Sequence, residues 1–253
     1  MTDLSAFSLA GKRVAVTGAN TGIGQGLAVA VARAGGAVVG IGRSTMDQTA
    51  KLVEGEGASF LAVRVDLADT TASVAMLNDL MAAAPLDGLV NNAGIIRRAN
   101  SVDFTEEDWD DVMKVNLKSL FFLSQAYGRA CIAAERAGRI VNIASLLSFQ
   151  GGIRVPSYTA SKHGVVGITR LLANEWAAKG INVNAIAPGY IETNNTEALR
   201  NDPDRSKAIL ERIPAGRWGV ADDIGDAAVF LLARASNYMH GAVIPVDGGW
   251  LAR

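Results

Sequence analysis

Arg13-Val14-Ala15-Val16-Thr17-Gly18-Ala19-Asn20-Thr21-Gly22-Ile23-Gly24 decides the fold. Its first five residues are a short apolar run of strand length, as expected of a strand buried on both faces. The glycines that follow are spaced G-x-x-x-G-x-G. Glycine at a strand–helix junction permits a tight turn and lets the backbone approach a pyrophosphate closely. Gly22 to Ala34 continues as a helix, whose free first-turn N–H groups and positive dipole end attract phosphate. A glycine cluster can also serve only a close helix–strand contact, but its place at the first such junction favours phosphate. The stretch from Val14 to Ala32 is uncharged and long enough to span a bilayer. Thr17, Asn20, Thr21, Gln25 and the clustered glycines make it a strand, a turn and a helix instead.

Working outward, similar runs recur between longer amphipathic segments. Ala37 to Ile41, Phe60 to Val63, Gly88 to Val90, Arg139 to Ile143, Ile181 to Ile186 and Ala242 to Val246 extend the series. Strands alternating with helices predict an α/β fold with a parallel sheet covered by helices on both faces. The glycine turn favours an open, doubly wound sheet of mostly seven parallel strands over a closed barrel. No linker or repeat divides residues 1–253, so a single domain is expected. The segment 189–219, with Asn194, Asn195, Asn201, Pro203 and Pro214, is the most irregular and reads as a substrate lid.

Composition narrows the function. The 253 residues carry a net charge of -1, 49% apolar and 19% charged residues, which excludes disorder. That balance offers no basic stripe for nucleic acid. One cysteine, Cys131, allows no internal disulfide and fits a reducing, cytoplasmic setting. Met1-Thr2-Asp3-Leu4 opens without a basic and apolar leader, and no membrane association is expected. His163 and His240 are too few and too far apart for a zinc site, so no metal is expected. Trp109, Trp176 and Trp218 read as core or loop packing.

The second strand should end beside an adenosine ribose. Gly42-Arg43-Ser44 stands there without the acid that would exclude a 2′-phosphate. Arg43 favours the phosphorylated cofactor, NADP(H), unless it is only a solvated strand-end arginine. Asp66 suits an adenine contact or a helix N-cap, and the two uses are compatible.

Tyr158 and Lys162 lie four apart in Ser157-Tyr158-Thr159-Ala160-Ser161-Lys162 and share a helix face. A free tyrosine has a pKa of ~10, and a neighbouring ammonium favours its phenolate. Such a phenol can exchange a proton with an alcohol while a nicotinamide exchanges the hydride. Ser145, just past the strand Arg139 to Ile143, sits at the sheet edge where ligands bind and can donate to a substrate carbonyl. Asn91-Asn92-Ala93-Gly94 ends the fourth strand at the same edge.

Gly18, Gly22, Gly24, Asn91-Asn92-Ala93-Gly94, Asn116, Ser145, Tyr158, Lys162 and Pro188-Gly189, in that order, resemble the short-chain dehydrogenase/reductase family over nearly the whole chain. The resemblance implies a tetrad. Tyr158 is the acid/base, Ser145 orients the carbonyl, Lys162 binds the nicotinamide ribose and lowers the tyrosine pKa, and Asn116 holds a water in a proton relay. It implies NAD(P) contacts from Gly18, Asn20, Thr21, Gly22, Ile23, Gly24, Arg43, Ser44, Asp66, Leu67, Asn92, Ala93, Gly94, Tyr158, Lys162, Pro188, Gly189, Ile191 and Thr193. A homotetramer is also implied, paired through the helices around Asn116 to Glu135 and Tyr158 to Ala178.

Gly94-Ile95-Ile96-Arg97-Arg98, Ser148 to Tyr158, Thr193-Asn194-Asn195-Thr196 and Ile213 to Gly219 are similar to a bacterial branch of that family acting on deoxygluconate-type sugar acids. That branch is usually NAD(H)-dependent, which pulls against Arg43. An arginine fork suits a substrate carboxylate, with Arg97, Arg98 and Arg154 as candidates. Gln150 is placed to bond a hydroxyl, and Ser145 and Asn194 complete the expected substrate set. Arg217 reads as a structural hydrogen bonder. The expected reaction interconverts a secondary alcohol and a ketone of a deoxy sugar acid. The rivals are a 3-oxoacyl thioester reductase and a non-catalytic dinucleotide sensor.

Overall fold

A computed structural model describes residues 4–253; Met1, Thr2 and Asp3 of the expected leaderless start lie outside the described residues. Seven parallel strands form one sheet in the order β3-β2-β1-β4-β5-β6-β7. They are β1 Arg13–Thr17, β2 Ala37–Gly42, β3 Phe60–Arg64, β4 Gly88–Asn91, β5 Gly138–Ile143, β6 Ile181–Pro188 and β7 Val243–Val246. Each expected strand forms within a residue or two of its expected bounds.

Side-chain alternation along each strand divides the core in two. Val14, Val16, Val38, Val90 and Val141 point to one face, where they meet Leu27 and Val31 of α1 (Gly22–Arg33) and Ile224, Ala228 and Leu231 of α9 (Ala221–Leu232). Ala15, Val39, Leu89, Ile140 and Val183 point to the other. There they meet Leu77 of α3 (Thr70–Ala83), Leu123 and Tyr127 of α5 (Leu120–Ala133) and Leu172 of α6 (Pro156–Trp176). The remaining helices are α2 (Asp47–Gly55), α4 (Glu106–Met113), α7 (Glu197–Arg200) and α8 (Pro203–Arg212). Strand order reverses between β1 and β4, so the crevice for a ligand opens at their carboxyl ends.

Two expectations need correction. The segment 189–219 holds two helices, α7 and α8, and is less irregular than its polar sequence implies. Asp202 starts α8 by accepting from the Asp204 and Arg205 N–H groups, with Pro203 at the first helical position. Trp109 is 40% exposed on α4, whereas Trp176 and Trp218 are buried. Among the described residues no helix is long and apolar enough to cross a membrane.

Candidate active site

The turn after β1 depends on two glycines. Gly18 has a φ of 68°, a left-handed conformation that strains any residue with a Cβ. A Cβ on Gly24 would lie 2.0 Å from the Gly18 carbonyl oxygen, so helix α1 can start this close to the strand only with glycine there. The Thr21 side chain does not cap α1, leaving its first-turn N–H groups to a ligand. Thr17 locks the turn to the end of β4: its Oγ1 accepts from the N–H groups of Asn92 (2.9 Å) and Ala93 (3.0 Å). Asn92 Nδ2 returns a bond to the Thr17 carbonyl at 2.9 Å.

A cleft of about 600 Å3 runs along this edge, within the range of cofactor sites. Every residue expected to touch the cofactor lines it, from Gly18 through Arg43, Asp66 and Leu67 to Gly189, Ile191 and Thr193, together with Ser145 and Asn194. The glycine turn, the uncapped helix start and this continuous wall fit a dinucleotide. Arg43 is exposed and 3.9 Å from Asp66, close enough for the two to influence each other across the adenosine end. Asp66 does not cap α3; that role falls to Asp69, whose side chain accepts from the Ala72 N–H. Gly42, Val65, Val115, Ile143 and Thr196 also line the cleft without having been singled out. Their only sequence signal is proximity to strand and helix ends.

Tyr158 is the third residue of α6, where the positive end of the helix favours an anion. Ser145 stands opposite, at the end of β5. Its Oγ accepts from the Leu147 N–H at 3.2 Å, which leaves the hydroxyl proton to be donated. Burial raises the Tyr158 pKa, opposed by a hydrogen bond from Ser145 and by the positive charge of Arg98. Lys162 follows one turn later, its Nζ 5.6 Å from the centre of the tyrosine ring. Its ammonium donates to the Ile143 carbonyl at 2.6 Å, and burial lowers its pKa to about 8. A hydrogen bond from Ser145 and the charge of Arg98 thus favour the phenolate against burial, and the Lys162 ammonium lies within cation–π range of the same ring. Ser148 Oγ donates to the Lys162 carbonyl at 2.7 Å and ties the Ser145 turn to the same helix.

Four expected site residues lie off the cleft wall. Asn116 is buried in the π-helical segment between α4 and α5. Its Oδ1 accepts from Ile95 N (2.8 Å), and its Nδ2 donates to Ile95 O (2.9 Å) and Ser161 Oγ (3.3 Å). Both ends of that side chain are engaged, so it braces α6 against the β4 loop. Gln150 faces Trp250, Arg154 is exposed, and Arg98 acts on Tyr158 through its charge. Arg97 does line the cleft, but its guanidinium is paired with Asp108 (3.2 Å) and Asp111 (3.0 Å) on α4, which corrects its expected carboxylate role. Asn194 lies on the wall, while the Asn195 side chain lies outside the described residues. Arg217 pairs with Asp223 at 2.8 Å. His163 is exposed and bonds the Thr159 carbonyl, and His240 meets Asn182.

A doubly wound sheet with a dinucleotide cleft and an abutting serine, tyrosine and lysine defines a nicotinamide-dependent oxidoreductase. The chain belongs to the short-chain dehydrogenase/reductase family: residues 18–251 match the family model described as enoyl-(acyl carrier protein) reductase. It is 55% identical over 251 residues, 99% of each chain, to the 2-dehydro-3-deoxy-D-gluconate 5-dehydrogenase of Dickeya dadantii. It is 56% identical, over the same shares, to the enzyme of that name from Escherichia coli. Among solved structures, a provisionally named 2-deoxy-D-gluconate 3-dehydrogenase from Agrobacterium tumefaciens with bound NADP is 62% identical. That structure superposes with a TM-score of 0.95 over 98% of this chain and 99% of the other.

Proposed function

We propose that the protein interconverts a secondary alcohol and a ketone on a deoxy sugar acid of the 2-dehydro-3-deoxy-D-gluconate or 2-deoxy-D-gluconate type. The observation that carries this reading is the hydrogen bond from Ser145 to the Tyr158 phenol on the wall of a dinucleotide cleft, in a chain 55–56% identical to 2-dehydro-3-deoxy-D-gluconate 5-dehydrogenases. Arg98, an exposed cation whose charge favours the Tyr158 phenolate, suits a substrate that carries a carboxylate. A neutral acyl thioester has no such need. A non-catalytic sensor would have no use for Ser145 held as a donor against Tyr158.

When bound, the nicotinamide supplies or accepts the hydride. Tyr158 Oη gives a proton to the alkoxide oxygen as the ketone is reduced, or removes it from the alcohol in the other direction. Ser145 Oγ donates to that same oxygen and stabilises its developing charge. Lys162 holds positive charge at the floor of the cleft, where the ribose would lie. Thr193 and Ile191, on the cleft wall, would hold the nicotinamide, Thr193 through its carboxamide and Ile191 against the ring. Asn194, on the lid formed by segment 189–219 of the single domain, reaches the substrate with Arg98.

We assign NADP(H) as the favoured cofactor, supported by Arg43 at the end of β2 and by the absence of an acid in Gly42-Arg43-Ser44. The homotetramer and cytoplasmic setting belong to the same proposal. Exposed Leu171 on α6 supports the first, and the unbridged thiol of Cys131 the second.

Steady-state rates with both cofactors against deoxy uronates, gluconates and acetoacetyl thioesters test the reading. Turnover should be highest with a deoxy sugar acid. Preference for the thioester, or no turnover with any substrate, defeats the proposal. In the same assay Arg43→Asp should raise KM for NADP(H) about 10- to 100-fold and leave NAD(H) within a few fold. Equal effects on both cofactors show that Arg43 does not read the 2′ position.

A further inference from the structure

Ile191 is 3% exposed and lines the cleft with Gly189 and Thr193. It lies just past the end of β6, outside the seven-stranded sheet, and yet has a strand partner. The Gly219 N–H donates to the Tyr190 carbonyl at 2.9 Å, and the Gly219 carbonyl accepts from the Glu192 N–H at 2.9 Å. A single residue thus forms a parallel bridge alongside Ile191. A Cβ on Gly219 would lie 2.5 Å from Ile191 Cδ1, so only glycine fits this close. The bridge has no ladder on either side, and its firmness depends on what fixes the backbone of Gly219.

That backbone is held by a fork. Arg217 Nη1 and Nη2 donate to Asp223 Oδ2 and Oδ1, each at 2.8 Å. Arg217 Nη1 also donates to the Trp218 carbonyl at 3.0 Å, and Asp223 Oδ2 accepts from the Val220 N–H at 2.8 Å. The two side chains therefore bond to the residues immediately before and after Gly219. Exposed ion pairs contribute little on average. A two-bond guanidinium–carboxylate pair is the stronger and more directional kind, and this one carries a backbone bond at each end. The bond from Arg217 is the chief cause holding the Asp223 carboxyl down at about 2, so the pair stays charged throughout the neutral range. Asp223 stands in the first turn of α9, and Ile224 beside it packs in the core with Leu27 and Val31 of α1. A line of contacts runs from α1 through the start of α9 and the fork to Gly219 and Ile191.

We infer that Arg217 and Asp223 are positioning residues for the nicotinamide end of the cofactor: their fork sets Gly219, and Gly219 sets residues 191–193 against the ring. This rests on the reading above that Ile191 and Thr193 meet the nicotinamide. The adenosine end, at Arg43 and Asp66, shares none of these bonds.

The test titrates NADPH and 2′-phospho-ADP-ribose, a fragment that lacks the nicotinamide, against the wild type, Arg217→Gln, Asp223→Asn, their double variant and Thr193→Val. NADH and ADP-ribose take their place if the wild type prefers NAD(H). Arg217→Gln should weaken NADPH about fivefold and leave the fragment within about 1.5-fold of wild type. Asp223→Asn keeps an acceptor for the Val220 N–H but loses the ion pair, and should show the same selective loss. The double variant should be no worse than the worse single one, because the two side chains act as a unit. Equal weakening of NADPH and fragment in Arg217→Gln, no weakening of either, or losses that multiply in the double variant overturns the inference. If Arg217→Gln does not fold, equal weakening or none in Asp223→Asn overturns it in the same way. A Thr193→Val variant that weakens neither ligand, or both alike, defeats the nicotinamide reading of this wall and the inference together. A selective loss in Thr193→Val beside an indifferent Arg217→Gln defeats only the inference.

Discussion

Replacing Tyr158 with phenylalanine should lower kcat by about a thousandfold, while NADPH binding stays within a few fold of wild type. The substitution removes one oxygen from a partly buried ring beside Ser145 and leaves the ring itself in place. Without that oxygen the proposed proton path to the reacting oxygen is broken, and the loss corresponds to about 4 kcal/mol of transition-state stabilisation. Ser145→Ala should be damaging alone, yet add little in the Tyr158→Phe background, because the two hydroxyls act as a unit. Stopped-flow hydride transfer measures the chemical step, and fluorescence titration measures cofactor affinity. A Tyr158→Phe variant with near-wild-type hydride transfer removes the proposed proton path.

Lys162→Met should abolish most activity, by about a hundredfold or more, and yet make the fold more stable at neutral pH. Lys162 is buried beneath the cleft, and burial depresses its pKa from 10.5 to about 8. A depressed lysine pKa means that folding strips water from a charge that the unfolded chain solvates freely. Below pH 8 both states are charged and the penalty, about 3 kcal/mol, is present in full. It fades as pH rises from about 8 towards 10.5, so wild-type stability gains relative to the variant across that window. Methionine leaves the Ile143 carbonyl without the donor it now has at 2.6 Å, which costs about 1 kcal/mol. The balance predicts a gain of about 2 kcal/mol at pH 7, or roughly 4–8 °C in Tm for a chain of this size. Thermal unfolding of both proteins at pH 7 and pH 10 checks it. A variant that melts no higher than wild type at pH 7 shows that the buried ammonium carries no such cost.

The strands and the cleft were legible because their signals are local. Arg13 to Thr17 shows its strand character within five residues, and the spacings of Gly18, Gly22 and Gly24 and of Tyr158 and Lys162 each encode a turn or a helix face directly. What was hidden depends on contacts between distant segments. Arg97 looks available for a carboxylate until Asp108 and Asp111 are brought against it by α4. Gln150 finds its indole partner 100 residues away. The phenol's surroundings depend on which groups are dry and which are charged: spacing pairs Tyr158 with Lys162, but only the fold brings Ser145 and Arg98 to bear on it as well. Helix α8 was missed although Asp202-Pro203 is a cap followed by a first-turn proline. Its polar composition hid the short apolar edge, Ile209, that it buries.

Asn91 and Asn142 face each other in register on β4 and β5, joined by a bond of 2.9 Å from Asn91 Nδ2 to Asn142 Oδ1. Asn142 Nδ2 donates in turn to Thr169 Oγ1 on α6, also at 2.9 Å, inside the core. Each residue along a helix turns its side chain by about 100°. A slip of one position would carry Thr169 away from Asn142 and swing Tyr158 out of line with Ser145 in the same motion. The polar seam therefore works as an indexing pin, setting the rotation of the helix from a point eleven residues below its tyrosine. A single-residue insertion between them would misalign the chemistry while leaving every cleft side chain in the sequence intact.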